Sequence, residues 1–117
     1  MEPSEIAMIA VKALSDKKGM DIRLLKTTDL TVLADYFVLC TATSTPHVKS
    51  LVEEVDKRLS LAGQPPLRRE GYRSGNWVLL DCGSVIVHIF LKETRAFYNL
   101  ERLWCDAQDV DISGIEA

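Results

Sequence analysis

Nothing in these 117 residues approaches the ~20 consecutive apolar positions that a membrane-spanning helix requires, and no basic stretch leading into an apolar segment marks the N-terminus for export. A cytoplasmic protein without membrane contact is expected. Cysteine is scarce. Cys40, Cys82 and Cys105 contain no CxxC pair and are odd in number, which argues against a disulfide framework or a cysteine-built zinc site and leaves reduced thiols. Excess basic charge is missing too: 14 Lys and Arg stand against 17 Asp and Glu, for a net charge of −3. A protein held to bare nucleic acid by counterion release would show a strongly basic patch, so direct sequence-specific nucleic-acid binding is not expected.

The motifs of common chemistries are absent as well. There is no GxSxG or HExxH, and the cysteines and histidines have no metal-ligand spacing, so neither metal nor cofactor is expected. The loop Thr41-Ala42-Thr43-Ser44-Thr45, between an apolar run and a helical pattern, could offer backbone N–H groups to a phosphate. It lacks the glycines and lysine of a P-loop, and hydroxyl residues at a helix start ordinarily cap it. A strand, a serine-bearing turn and a helix also open nucleotidyltransferases, whose metal ions need a carboxylate pair on a following strand. That pair is missing. Asp109 and Asp111 lie beyond the last expected core element, where no sheet is expected to hold them. A phosphoryl-transfer enzyme using the Thr43-Ser44 loop is thus the alternative, and a non-enzyme the leading expectation.

What is present suits one folded domain, with 47% hydrophobic and 26% charged residues. Residues 99–117 carry Glu101, Asp106, Asp109, Asp111 and Glu116 against Arg102 alone, which leaves residues 1–98 at +1. The division expected is a domain over 1–106 and an acidic C-terminal tail over 107–117.

Ile6, Ile9, Ala10, Ala13 and Leu14 recur at helical spacing from Ser4 to Lys18, with Ser4 as cap and Gly19 as stop. Met20–Leu25 reads as a strand. Tyr36–Cys40, apolar throughout, reads as a central strand covered on both faces. Thr43-Ser44-Thr45-Pro46 opens a helix, with proline at its first position, whose buried stripe is Val48, Leu51, Val52, Val55 and Leu59 and which Gly63 ends. Leu67–Glu70 suits a short edge strand.

Trp77–Leu80 and Val85–Phe90 flank Asp81-Cys82-Gly83-Ser84, a hairpin signal. With Cys82-Gly83 as the loop, Trp77 would oppose His88 and Leu79 would oppose Ile86. Val78, Leu80, Val85, Val87 and Ile89 then face the core. Thr94–Trp104 reads as one or two closing helical turns. The order α-β-β-α-β-β-β-α predicts an α/β fold, a mixed sheet flanked by helices.

The other hairpin face carries Trp77, Leu79, Asp81, Ile86, His88 and Phe90, bordered by Glu70. Aromatic and aliphatic groups with a charged border form the mixture of a protein-contact hot spot. The same residues equally suit a face covered by a helix. Tyr36 would join them if its strand neighbours the hairpin. His88 could pair with Asp81 or Glu70 as a base, although a strand histidine more often packs or forms part of a contact surface; His47 reads as a surface residue near the cap.

Three stretches together resemble the Iojap or ribosomal silencing factor family. They are Ala34–Ser44 with His47-Val48, Glu70-Gly71 followed by Trp77–Phe90, and Arg95–Trp104. The resemblance spans about residues 5–105 and leaves Ala107–Ala117 outside. It implies a nucleotidyltransferase-like fold without the catalytic carboxylates. It also implies binding to the large ribosomal subunit through ribosomal protein fourteen at the intersubunit face, steric blockage of subunit association, and translation repressed under nutrient limitation. A homodimer when free is implied as well. On the bottom-up reading, the partner-binding residues are Trp77, Asp81, His88, Tyr36, Leu79, Ile86 and Glu70.

Overall fold

The computed structural model describes residues 1–28, 34–98 and 107–116. The first helix, α1 (Pro3–Asp16), starts ahead of the expected Ser4 cap. Glu2 precedes it, its N–H donating to Glu5 Oε1 at 3.4 Å, and Pro3 takes the first position, where a missing N–H costs nothing. At its other end the left-handed residue is Lys18 (φ 62°), and the Gly19 N–H closes the turn on the Leu14 carbonyl at 2.8 Å. Gly19 serves space: a Cβ there would strike Cys40 Sγ and the Leu14 carbonyl oxygen.

Strands β1 (Met20–Lys26) and β2 (Tyr36–Ala42) are antiparallel. Helix α2 (Thr45–Leu61) is capped by Ser44, whose Oγ accepts from the His47 N–H at 3.2 Å; Thr45 takes the first position and Pro46 follows it. Then come the edge strand β3 (Arg68–Glu70), the hairpin β4 (Trp77–Asp81) and β5 (Val85–Leu91), and helix α3 (Lys92–Tyr98). Two short elements follow, β6 (Gln108–Val110) and α4 (Ser113–Glu116). The six strands lie in the order β3-β4-β5-β2-β1-β6, a mixed sheet in which β2 and β5 pair in parallel and every other pairing is antiparallel. β2 is central, as its unbroken apolar run predicts.

Helices α1 and α2 pack on one face through the predicted stripes and bury Val38, Cys40, Val78, Leu80, Val85, Val87 and Ile89 beneath them. The opposite face holds a smaller cluster of Leu25, Ala34, Phe37, Leu39 and Phe90. Most of the apolar burial that drives folding is therefore under the two long helices.

Two expectations are corrected. The hairpin register is Trp77 opposite Phe90, Leu79 opposite His88 and Asp81 opposite Ile86. The loop is Gly83-Ser84, with Gly83 at φ +80° and the Cys82 N–H closing on the Val85 carbonyl at 2.9 Å. A left-handed first loop residue favours glycine, so the loop begins at Gly83, one residue later than the Cys82-Gly83 choice. The shift is two residues, so both faces keep their members. The second correction concerns the segment read as an acidic tail. β6 pairs antiparallel with β1, Leu24 opposite Val110, and Ile112 is buried in the main core beside α1. Two apolar side chains outweigh the surrounding acids. The expected helical turns over Thr94–Trp104 are seen up to Tyr98; the rest lies outside the described residues.

Candidate functional site

Trp77 opens β4 at a close approach of two backbones. Gly71 (φ +79°) lies so near the Trp77 carbonyl oxygen that no Cβ would fit, and the Asn76 carbonyl accepts from the Leu91 N–H at 2.9 Å. The Trp77 side chain is half-buried on the sheet face opposite α1 and α2. Its Nε1–H donates to His88 Nδ1 at 3.3 Å, and its ring meets Phe90 at 5.6 Å between centroids. Trp77 and His88 are diagonal cross-strand neighbours, a spacing long aromatic side chains can bridge.

His88 is 8% exposed, stacked on Phe90 at 5.9 Å and tilted against Phe37 at 5.1 Å. Burial pushes its pKa down to about 4, so the ring is neutral at physiological pH. Accepting at Nδ1 fixes the proton on Nε2, and among the described residues Nε2 has no hydrogen-bond partner. Among the described residues His88 bonds neither Asp81, which accepts from Gly83 and Arg68, nor Glu70, so the acid–base pairing does not form. It stands behind Trp77.

Leu79 and Ile86 share the Trp77 face and are half-buried. Glu70, Gly71, Trp77 and Leu79 line an open depression of about 290 Å³. Glu70 is exposed, 3.7 Å from Arg68. Asp81 chiefly holds the turn: one oxygen accepts from the Gly83 N–H at 2.9 Å and the other from Arg68 Nε at 3.2 Å. Tyr36 does not join this group. It pairs with Val85 and packs against the main core, on the helix-covered face. Its place depended on strand register, which the sequence pattern leaves open. Arg68 and Gly71 are the residues of this region that side-chain patterning missed; the Glu70-Gly71 step was their signal.

The Thr43-Ser44 loop spends its polar groups internally. Thr43 N–H donates to His47 Nδ1 at 3.0 Å, and His47 Nε2 lies 2.9 Å from the Lys17 carbonyl oxygen, tying the start of α2 to the end of α1. His47 is thus a strut between helices. Asp109, which β6 does fix in a sheet, is held by Arg23 Nη2 at 2.8 and 2.9 Å. Asp111 Oδ1 accepts from the Ser113 N–H at 3.0 Å, a bond that lowers its pKa. Among the described residues no three His, Cys, Asp or Glu side chains form a metal-holding group, and no helix is long and apolar enough to cross a membrane.

Comparison with known proteins places this geometry. The family model described as "Ribosomal silencing factor during starvation" matches residues 1–117, so the segment after residue 106 lies inside the family pattern and not beyond it. The ribosomal silencing factor RsfS of Halalkalibacterium halodurans is 38% identical over 115 residues, covering 98% of either chain. The RsfS of Chromobacterium violaceum is 42% identical over 104 residues, covering 89% of this chain and 85% of that one. A crystal structure of a Chromobacterium violaceum protein superposes with a TM-score of 0.87 at 40% identity, over 97% of this chain and 93% of that chain. The chain belongs to the ribosomal silencing factor family.

Proposed function

We propose that this protein binds the large ribosomal subunit on ribosomal protein fourteen, through the Trp77 face, and represses translation by keeping the small subunit from docking. The observation that carries the reading, beside family membership, is the row of half-buried Trp77, Leu79 and Ile86 on the sheet face away from α1 and α2, bordered by Glu70 and Asp81. A tryptophan held in place, with aliphatic neighbours and carboxylates at the edge, has the anatomy of an interface anchor. The action is occupancy. A body with principal extents of 33 × 31 × 29 Å can bury the ~1,600 Å² of a standard interface and still stand between two subunits. Carboxylates at the border would speed encounter with a basic protein and fix its orientation. In the same reading the protein works in the cytoplasm and dimerises when off the ribosome.

The test is direct binding of the purified chain to isolated large subunits and to purified ribosomal protein fourteen. Micromolar or tighter binding to both, with Trp77→Ala weakening it by about 2 kcal/mol or more, is expected. Binding to the large subunit that survives both Trp77→Ala and Leu79→Ala would remove this face from the contact.

A further inference from the structure

We propose that His88 is a positioning residue for this contact: it sets the orientation of the Trp77 indole through its Nδ1 acceptor and does not itself touch the partner. The inference rests on the Trp77 face being the contact surface. A tryptophan at the start of a strand and half out of the core has two side-chain torsions to order when a partner binds. Here the Nε1–H bond to His88 and the ring contacts with His88 and Phe90 restrict both. His88 is itself buried and packed between Phe37 and Phe90.

The chemistry at His88 shows what the imidazole is for. Its surroundings on this face are apolar, and Leu39 and Leu79 are its partners in the neighbouring strands. A phenylalanine would fill the space and would not leave a buried N–H without an acceptor, whereas Nε2 has none among the described residues. Packing alone therefore gives no reason for a histidine. The acceptor at Nδ1 does, because among the described residues it is the ring nitrogen that makes a hydrogen bond, and that bond goes to Trp77. Stability is given up at Nε2 so that the half-buried anchor is pre-organised.

The experiment compares the parent chain with His88→Phe, His88→Asn and Trp77→Ala. It measures the dissociation constant for isolated large subunits, the thermal midpoint, and the indole N–H resonance that Trp77→Ala identifies. For His88→Phe the expected result is a shifted, less protected Trp77 indole N–H and a midpoint equal to or above the parent's. Its affinity should fall about three- to tenfold, the factor for re-ordering one freed side chain. His88→Asn, whose side-chain oxygen lies where Nδ1 lay, should recover affinity even with a lower midpoint. The proposal is overturned if His88→Phe loses affinity only in step with a falling midpoint, or if both His88 variants lose it equally. Parent-like binding by His88→Phe, with Trp77→Ala defective, would overturn the positioning role and leave the contact face standing. Parent-like binding by Trp77→Ala would overturn both.

Discussion

Replacing Ile112 by alanine tests whether the C-terminal segment is part of the fold or a solvated appendage. Ile112 is 8% exposed and belongs to the main core cluster, and α4 behind it contacts α1. Removing most of a buried isoleucine side chain costs its transfer free energy plus a cavity term, and at the margin of the core about 3 kcal/mol is expected. Asp109→Ala is the control. Its pair with Arg23 is well formed, but the Asp109 side chain is 62% exposed and Arg23 33%, so solvent screens the attraction and about 0.5 kcal/mol is expected. For a domain of this length about 4 °C accompanies each kcal/mol, which gives a fall of about 12 °C against about 2 °C. Differential scanning calorimetry at neutral pH, with urea denaturation beside it, reads both. If Ile112→Ala moved the midpoint by less than Asp109→Ala, electrostatics and not apolar burial would be holding the segment.

Burial of His88 predicts an acid limb in stability. Its folded pKa of about 4 lies below the ordinary 6.5, so the fold prefers the neutral ring. That contribution is complete above pH 6.5 and is lost as pH falls from there through 4, with a full worth of about 3 kcal/mol. Urea denaturation at pH 7, 5 and 4 should show the loss in the parent and a smaller one in His88→Phe; equal pH dependence in the two would place the titration elsewhere. Gly19→Ala should cost about 2 kcal/mol, because the new methyl meets Cys40 Sγ and the Leu14 carbonyl. Cys40→Ala in the same chain should return part of that cost, and strict additivity of the two changes would show that the atoms do not collide.

The elements with strong apolar periodicity were legible in the sequence: both long helices, the central β2 and the division of the hairpin into two faces. Register was not, because Cys82-Gly83 and Gly83-Ser84 are both acceptable loops by composition and only backbone geometry selects the second. Strand β6 was hidden for a different reason. Gln108–Val110 is too short to show a period, and the acids around it dominate any local composition, so Val110 and Ile112 carried no visible signal. Within the candidate site, Trp77, Leu79, Ile86, His88 and Asp81 were correctly grouped by alternation alone. Tyr36 was not, since alternation orders residues within a strand and says nothing of how a parallel neighbour is aligned. The burial of His88 and its bond to Trp77 depend on diagonal packing across the sheet, which no one-dimensional pattern records.

The central claim is occupancy of the joining surface, and the measurement that meets it most directly is a sucrose gradient of separated ribosomal subunits recombined with and without the purified protein. The account predicts a smaller whole-ribosome peak, with the protein migrating with the large subunit, and little of either effect from Trp77→Ala at the same concentration. Pre-formed whole ribosomes should take up less of the protein than free large subunits do. Equal co-migration with whole ribosomes, or subunits that join undisturbed at full occupancy of the large subunit, would contradict it.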